Sequence, residues 1–219
     1  MSNPAVSTVL PSTIYSELRG RILSQADPSG TTFTESAVAL EFGVARPTAK
    51  MAIERLVSDG LLRREAHQAA RIPQLSREDI VDLFDNRVII EAAALGALAR
   101  SGTIPAAALD AHRTILAGAE TDAPFAANDI DFHRSLVTGQ PSARLARMHA
   151  MLMGEIELCI GQVQANHLRT AQDVSAEHQG LLDAITAGDS ALAERLTREH
   201  IAVSRERLLA HFDQTHPID

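Results

Sequence analysis

A single cysteine, Cys159, leaves no disulfide possible within the chain, so a disulfide-stapled extracellular scaffold is excluded. Tryptophan is absent, and aromatics make up 3% of the 219 residues against 45% for apolar residues as a whole. Such a core must be built from Leu, Ile, Val and Ala, which suits packed helices better than sheets. No run of 18 apolar residues exists. The nearest, VIIEAAALGALA, is short and holds Glu91, so no membrane span is expected. The opening MSNPAVSTVLPS lacks a basic stretch followed by an apolar one and does not read as a signal peptide, and the expected location is the cytoplasm. Internal repeats, low-complexity tracts, a phosphate-cradling loop and a nucleophile motif are also missing.

The net charge is -8, unevenly spread. Residues 1–74 carry 8 Lys/Arg against 7 Asp/Glu, and residues 75–219 carry 12 against 21. An acidic total argues against bulk attraction to nucleic acid, so any DNA contact must rest on local placement of charge.

Within residues 1–74 the spacing predicts three helices and a hairpin. Ile14, Leu18, Ile22 and Leu23 share one helical face, ending before the turn cluster Asp27-Pro28-Ser29-Gly30. Thr34 caps a short second helix that Gly43 ends. A third runs from Ala45 to Ser58 with Ala49, Ala52, Ile53, Leu56 and Val57 as its buried stripe. Two strand-like pieces follow, 61–64 and 70–72, around a polar tip at His67-Gln68. Helix, helix, helix, hairpin is the layout of a winged helix-turn-helix. From Ser76, which with Asp79 forms a capping-box pattern, six helices follow over 75–219 with no convincing strand. The expected fold is therefore mainly α, an N-terminal winged helix-turn-helix joined to an all-α bundle.

In such a head the third helix enters the major groove. Arg46 and Lys50 lie one turn apart on one face of it, with Thr48 near its start. Arg55, Arg63, Arg64 and Arg71 are placed to add phosphate contacts from the helix end and wing. The competing reading is an ordinary solvated surface. The segment FTESAVALEFGVARPTAKMAIERLVSDGLLRRE resembles the DNA-binding domain of the GntR family of regulators, through Gly43, Val44, Arg46, Ala52, Leu56, Gly60 and Leu61. It departs from that pattern at Ala45, at Pro47-Thr48, at Met51, and at Ala69 and Ala70, where the wing normally has glycines.

Four positions stand apart in the second half. Asp129 and His133 are i and i+4 on one helix, and His178 and His200 sit beside leucines on two others. Three imidazoles and a carboxylate suit a divalent Zn, Ni or Mn ion, whereas a single such His is more often a satisfied core residue. The spacing of the set resembles the metal-binding signature of the FCD domain, which defines the FadR subgroup of GntR regulators. That resemblance covers nearly the whole chain and implies a divalent ion held by Asp129, His133, His178 and His200.

Arg87 sits mid-helix among apolar neighbours, with Glu91 one turn on as a purely structural partner. The resemblance implies a second role, holding a ligand carboxylate beside the metal. Gln162 and Asn166 are candidate pocket residues. His149 reads as a pocket residue or, more simply, a helix-surface one, and His67, His112, His167, His211 and His216 read as surface residues. The function expected is a DNA-binding regulator, a repressor, controlled by a small carboxylic acid. It acts as a homodimer on a palindromic double-stranded operator, with no membrane partner. The rival readings are a metal-dependent hydrolase or lyase using the same centre and a protein-interaction module. Against the enzyme, Glu177 and Glu199 directly precede His178 and His200 and point about 100° away from them, so neither is placed as a general base.

Overall fold

A computed structural model of the chain describes residues 10–119, 125–162 and 168–216. Nine helices and a two-stranded sheet are present among these residues, and the chain divides into two compact units, 1–74 and 75–219.

The first unit holds α1 (Pro11–Leu23), β1 (Thr32–Phe33), α2 (Glu35–Phe42), α3 (Arg46–Ser58) and β2 (Ala70–Arg71). Ile14, Leu18 and Ile22 repeat every fourth residue along α1 and are fully buried, as are Ala49, Ala52, Ile53 and Leu56 on α3. Thr34 accepts a hydrogen bond from the Ala37 amide and starts α2. Gly43 ends it at φ 63°, a left-handed position a side chain would disfavour, and turns the chain into α3.

The wing differs from the expected hairpin. Leu61 and Leu62 both give their amides to the Leu56 carbonyl and close the end of α3, so pairing starts only at Arg63, in one bridge to Arg71. The other edge of Ala70–Arg71 pairs antiparallel with Thr32–Phe33, a strand the sequence did not announce. Two residues are too short to show an alternating pattern.

The second unit comprises α4 (Arg77–Ser101), α5 (Ala106–Gly118), α6 (Ala126–Thr138), α7 (Ala143–Gln162), α8 (Ala171–Thr186) and α9 (Ser190–Thr215). Ser76 and Asp79 form the reciprocal capping box, the Asp79 amide donating to Ser76 Oγ at 3.1 Å and the Ser76 amide to Asp79 Oδ2 at 2.8 Å. α4 packs along α9 and also against α6, α7 and α8, so its buried face looks onto the middle of the bundle. Leu95, Leu98, Phe132, Leu136, Leu181 and Ile185 close one end of that core. Polar groups at the other end therefore lie in a water-poor interior. Among the described residues no single helix is long and apolar enough to cross a membrane.

Candidate metal centre and cavity

Asp129 and His133 project from the same face of α6, one turn apart. His178 comes from the middle of α8 and His200 from α9. Packing of the three helices brings one ligand atom from each residue to within 4.8 Å of every other. The three imidazoles are buried, and the Asp129 side chain is 23% exposed. His133 Nε2 and His200 Nε2 are 3.0 Å apart, and Asp129 Oδ1 lies 3.2 Å from His178 Nε2 and 3.7 Å from His133 Nε2.

Carboxylates behind two of the rings orient them. His133 Nδ1 faces Glu91 Oε2 at 2.7 Å, and His200 Nδ1 is 2.6 Å from Glu177 Oε2. His200 Nδ1 hydrogen-bonds its carboxylate, whereas His133 Nδ1 sits close to Glu91 without hydrogen-bond alignment, and the two Nε2 atoms face each other across the shared space in the manner of carboxylate–histidine–metal arrangements. The His178 ring is stacked on Phe132, with centroids 3.8 Å apart and planes 12° apart. Neither of its nitrogens has a hydrogen-bond partner, and neither does Asp129 Oδ1. Three buried atoms without partners beside two ring nitrogens in close approach are costly as they stand. A divalent cation satisfies the two facing Nε2 atoms, Asp129 Oδ1 and one His178 nitrogen together, so the donor set fits one.

Electrostatics keep these groups ready to ligate. Burial pushes His133 down to about 4, against the pull of Glu91, and pushes His178 down to about 3. Both are therefore neutral near pH 7 and bind without first losing a proton. Burial opposes ionisation of Asp129, but His178 and the His133 and His200 rings outweigh it and hold the carboxyl well below the usual range. Burial likewise opposes ionisation of Glu177, yet His200 and Arg169 hold it at about 2. Burial pushes the Cys159 thiol on α7 up to about 12, which removes it as a soft ligand or nucleophile.

Glu91 is fully buried and serves three partners. Its Oε1 accepts from Arg87 Nε at 2.8 Å and lies 2.9 Å from His149 Nε2, while Oε2 faces His133. Arg87 and the Glu91 of its predicted pair thus belong to one network with the metal-ligating set. Burial works against the Glu91 charge, but Arg87 and His133 hold the carboxyl far below its ordinary value. Arg87 also borders a cavity of about 80 Å³, together with Asp129, Phe84, Ile156, Ile160 and Arg169.

Two surface readings fail here. His149 is fully buried on the Glu91 network rather than on the helix surface, and His112 is buried with Nε2 3.2 Å from Gln179 Oε1. Each faces the core because α5 packs on α6 and α8, and α7 on α4 and α6, contacts that one helix's periodicity does not reveal. Glu177 does not serve His178, its sequence neighbour; it supports His200 on the next helix, a role its spacing did not announce. Gln162 does not line the cavity; its Oε1 accepts the Leu75 amide at 3.2 Å. Asn166 and His167 lie outside the described residues. Arg169, which no spacing singled out, is a cavity residue. Its only sequence signal is a lone Arg just before the Thr170 cap of α8.

In the first unit Arg46 and Lys50 are exposed on α3, one turn apart and flanking its buried stripe, and Thr48 is half-buried near them. Arg46 donates to Ser36 Oγ on α2, and Lys50 lies 3.5 Å from Glu54. Arg55 stacks over the Tyr15 ring at 3.9 Å, with Asp59 3.8 Å away, and Arg71 in β2 pairs with Glu65 at 3.3 Å. These exposed ion pairs are weak enough to be exchanged for phosphate.

Comparison with known proteins agrees with this layout. The profile described as "Bacterial regulatory proteins, gntR family" matches residues 10–72, and that of the FCD domain matches residues 82–203. The "Probable D-xylose utilization operon transcriptional repressor" of Paenarthrobacter nicotinovorans is 27% identical over 199 residues, 87% of this chain and 86% of that protein. The gluconate operon transcriptional repressor of Bacillus subtilis is 35% identical over 75 residues, 34% of this chain and 30% of that protein. A GntR regulator structure from Rhodococcus sp. RHA1 superposes with a TM-score of 0.74 at 19% identity, covering 91% of this chain and 97% of the other, a likeness of fold. These relatives are named as regulators of transcription, and the chain is a regulator rather than the metal-dependent hydrolase or lyase also weighed above. The chain belongs to the GntR family of bacterial transcriptional regulators, in the group whose second domain is an FCD domain.

Proposed function

We propose that the chain is a repressor whose hold on a palindromic operator is set by a small carboxylic acid bound beside a divalent ion in residues 75–219. The observation that carries this reading is the facing pair His133 Nε2 and His200 Nε2, 3.0 Å apart and each backed by a carboxylate. With both rings protonated at Nδ1, a cation between the facing Nε2 atoms satisfies both lone pairs at once. Asp129, His133, His178 and His200 hold the ion, with Zn, Ni and Mn the candidates for this donor set. When bound, the ion supplies a Lewis-acidic position for a carboxylate oxygen. Arg87 supplies the second grip: Glu91 fixes its Nε, while Nη2 is buried, without a partner, on a side chain bordering the cavity.

Residues 1–74 are the DNA-binding head. Arg46, Thr48 and Lys50 meet bases or nearby phosphates, and Arg55 and Arg71 meet phosphates once they leave Asp59 and Glu65. A homodimer presents two heads to two half-sites. Repression is favoured by the names of the D-xylose and gluconate operon relatives. The response runs along α7. Ile156 and Ile160 border the cavity, and Gln162, two residues further, holds the backbone of Leu75, where the chain leaves residues 1–74. An acid that shifts this end of α7 changes how firmly that segment is held and biases the placement of the heads.

A gel shift on duplexes selected from a random library tests this. Binding by the metal-loaded chain should change on adding a cognate acid, and Arg87→Gln should bind the same duplex but lose the response. Failure of the wild-type chain to select any duplex contradicts the reading.

A further inference from the structure

Two buried guanidinium groups border the cavity, and each has an N–H with nothing to receive it. Arg87 gives Nε to Glu91 and leaves Nη2 buried and unpartnered. Arg169, just before α8, gives Nη1 to Ser204 Oγ at 3.1 Å and Nη2 to Glu177, and leaves Nε buried and unpartnered. The two side chains are 4% and 9% exposed. A buried donor left unmade costs about 1–3 kcal/mol, and more on a charged group. A cation at the histidine cluster cannot relieve either N–H, because both need an acceptor oxygen. The two guanidiniums come from different elements of the wall, so two acceptor oxygens are called for.

Charge points the same way. Glu91 offsets Arg87, and Glu177 offsets Arg169. Of the remaining charges on the lining, Arg207 offsets the Asp129 carboxylate, and a divalent ion held by Asp129 would add to the positive side. The cavity is left with surplus positive charge, which a dianion balances better than a monoanion. Its volume of about 80 Å³ suits a chain of few carbons, given the ~10–15 Å³ one water takes by the same measure.

We infer that the cavity takes a short dicarboxylate, one carboxylate at the metal-ligating end with Arg87 and the second on Arg169. This rests on the acid-sensing reading above and narrows its ligand class. It also gives Arg169 a link to the centre: the guanidinium that receives the second carboxylate holds Glu177, and Glu177 orients His200.

The test is calorimetric titration of the metal-loaded full-length chain with acetate, propionate, malonate, succinate and glutarate. At least one diacid should bind about tenfold or more tighter than either monoacid, the scale of one added charge-assisted contact. Arg169→Lys keeps a cation beside Glu177 but has no Nε. Measured on the metal-loaded variant, the ratio of diacid to monoacid affinity should fall to about one, whatever the change in the affinities themselves. Equal binding of monoacids and diacids by the wild type, or an undiminished preference in Arg169→Lys, overturns the inference. The acid-sensing reading survives that result if Arg87→Gln weakens every acid. Binding of none of the five acids overturns the diacid inference, and the acid response in the gel shift then judges the parent reading by itself.

Discussion

His133 and His200, 67 residues apart on α6 and α9, present their Nε2 atoms to each other at 3.0 Å, while Glu91 and Glu177 occupy the far side of each ring. Orientation of this kind sets ligand strength as much as ligand identity does, because a ring fixed by its outer nitrogen gives up no tautomer or rotamer freedom when it binds. The two carboxylates are therefore as much part of the centre as the residues that touch the ion.

Glu91→Gln should show this. The substitution keeps shape but removes the charge that offsets Arg87 and faces His133. Uncompensated burial of Arg87 costs about 3–5 kcal/mol, and loss of the orienting contact costs about 10–100-fold in metal affinity. Both are read by chemical denaturation and by competition with a chromophoric chelator. Glu177→Gln, which is part-exposed, should show the loss of metal affinity with a smaller loss of stability.

The pH dependence of the metal-free protein follows from burial of the ligands. His133 and His178 are pushed from the usual 6.5 to about 4 and about 3. Between 6.5 and those values the unfolded chain takes up protons that the folded chain refuses. Stability is thus fully present above about 6.5 and is lost as pH falls toward 4 and then 3, a tenfold difference in proton affinity being worth about 1.4 kcal/mol. The urea midpoint of chelated protein should drop between pH 7 and pH 4. His178→Leu, with no proton to take up there, should drop less steeply.

In the head, Arg46→Ala should cost about 1–3 kcal/mol of operator affinity if it reads a base edge. Lys50→Ala, if it meets phosphate, should weaken all duplexes alike and lower the salt dependence by about one contact, near 0.9 in the log–log slope. Both variants should keep the wild-type metal content. Fluorescence anisotropy across a salt series separates the two roles.

Cys159 offers an internal probe of the bundle. It is buried on α7, with its thiol pushed up to about 12, so almost no thiolate exists at neutral pH. A maleimide should label it only as fast as the bundle opens, and adding metal should slow labelling. Rapid stoichiometric labelling of the native chain would contradict the packing around α7.

Much of this was legible in the sequence because it rests on local rules. The capping box at Ser76, the left-handed Gly43, the stripe Ile14–Leu18–Ile22 and the Asp129–His133 spacing are fixed within one or two turns of helix. What could not be read depends on contacts between elements. The strand at Thr32 is visible only once Ala70 is beside it. His112 and His149 look like surface residues until a second layer covers their helices. Glu177 faces nothing of use until α9 brings His200 to it, and Arg169 has no pattern at all until the cavity wall is assembled.

The central claim is that the four-residue cluster binds one divalent ion. Chelated full-length protein titrated with Zn, with metal content checked by elemental analysis after dialysis, should take up one ion per chain. His178→Ala should take up none while still binding the selected duplex. Wild-type protein that retains no ion, or a His178→Ala variant that retains as much as wild type, would contradict the account.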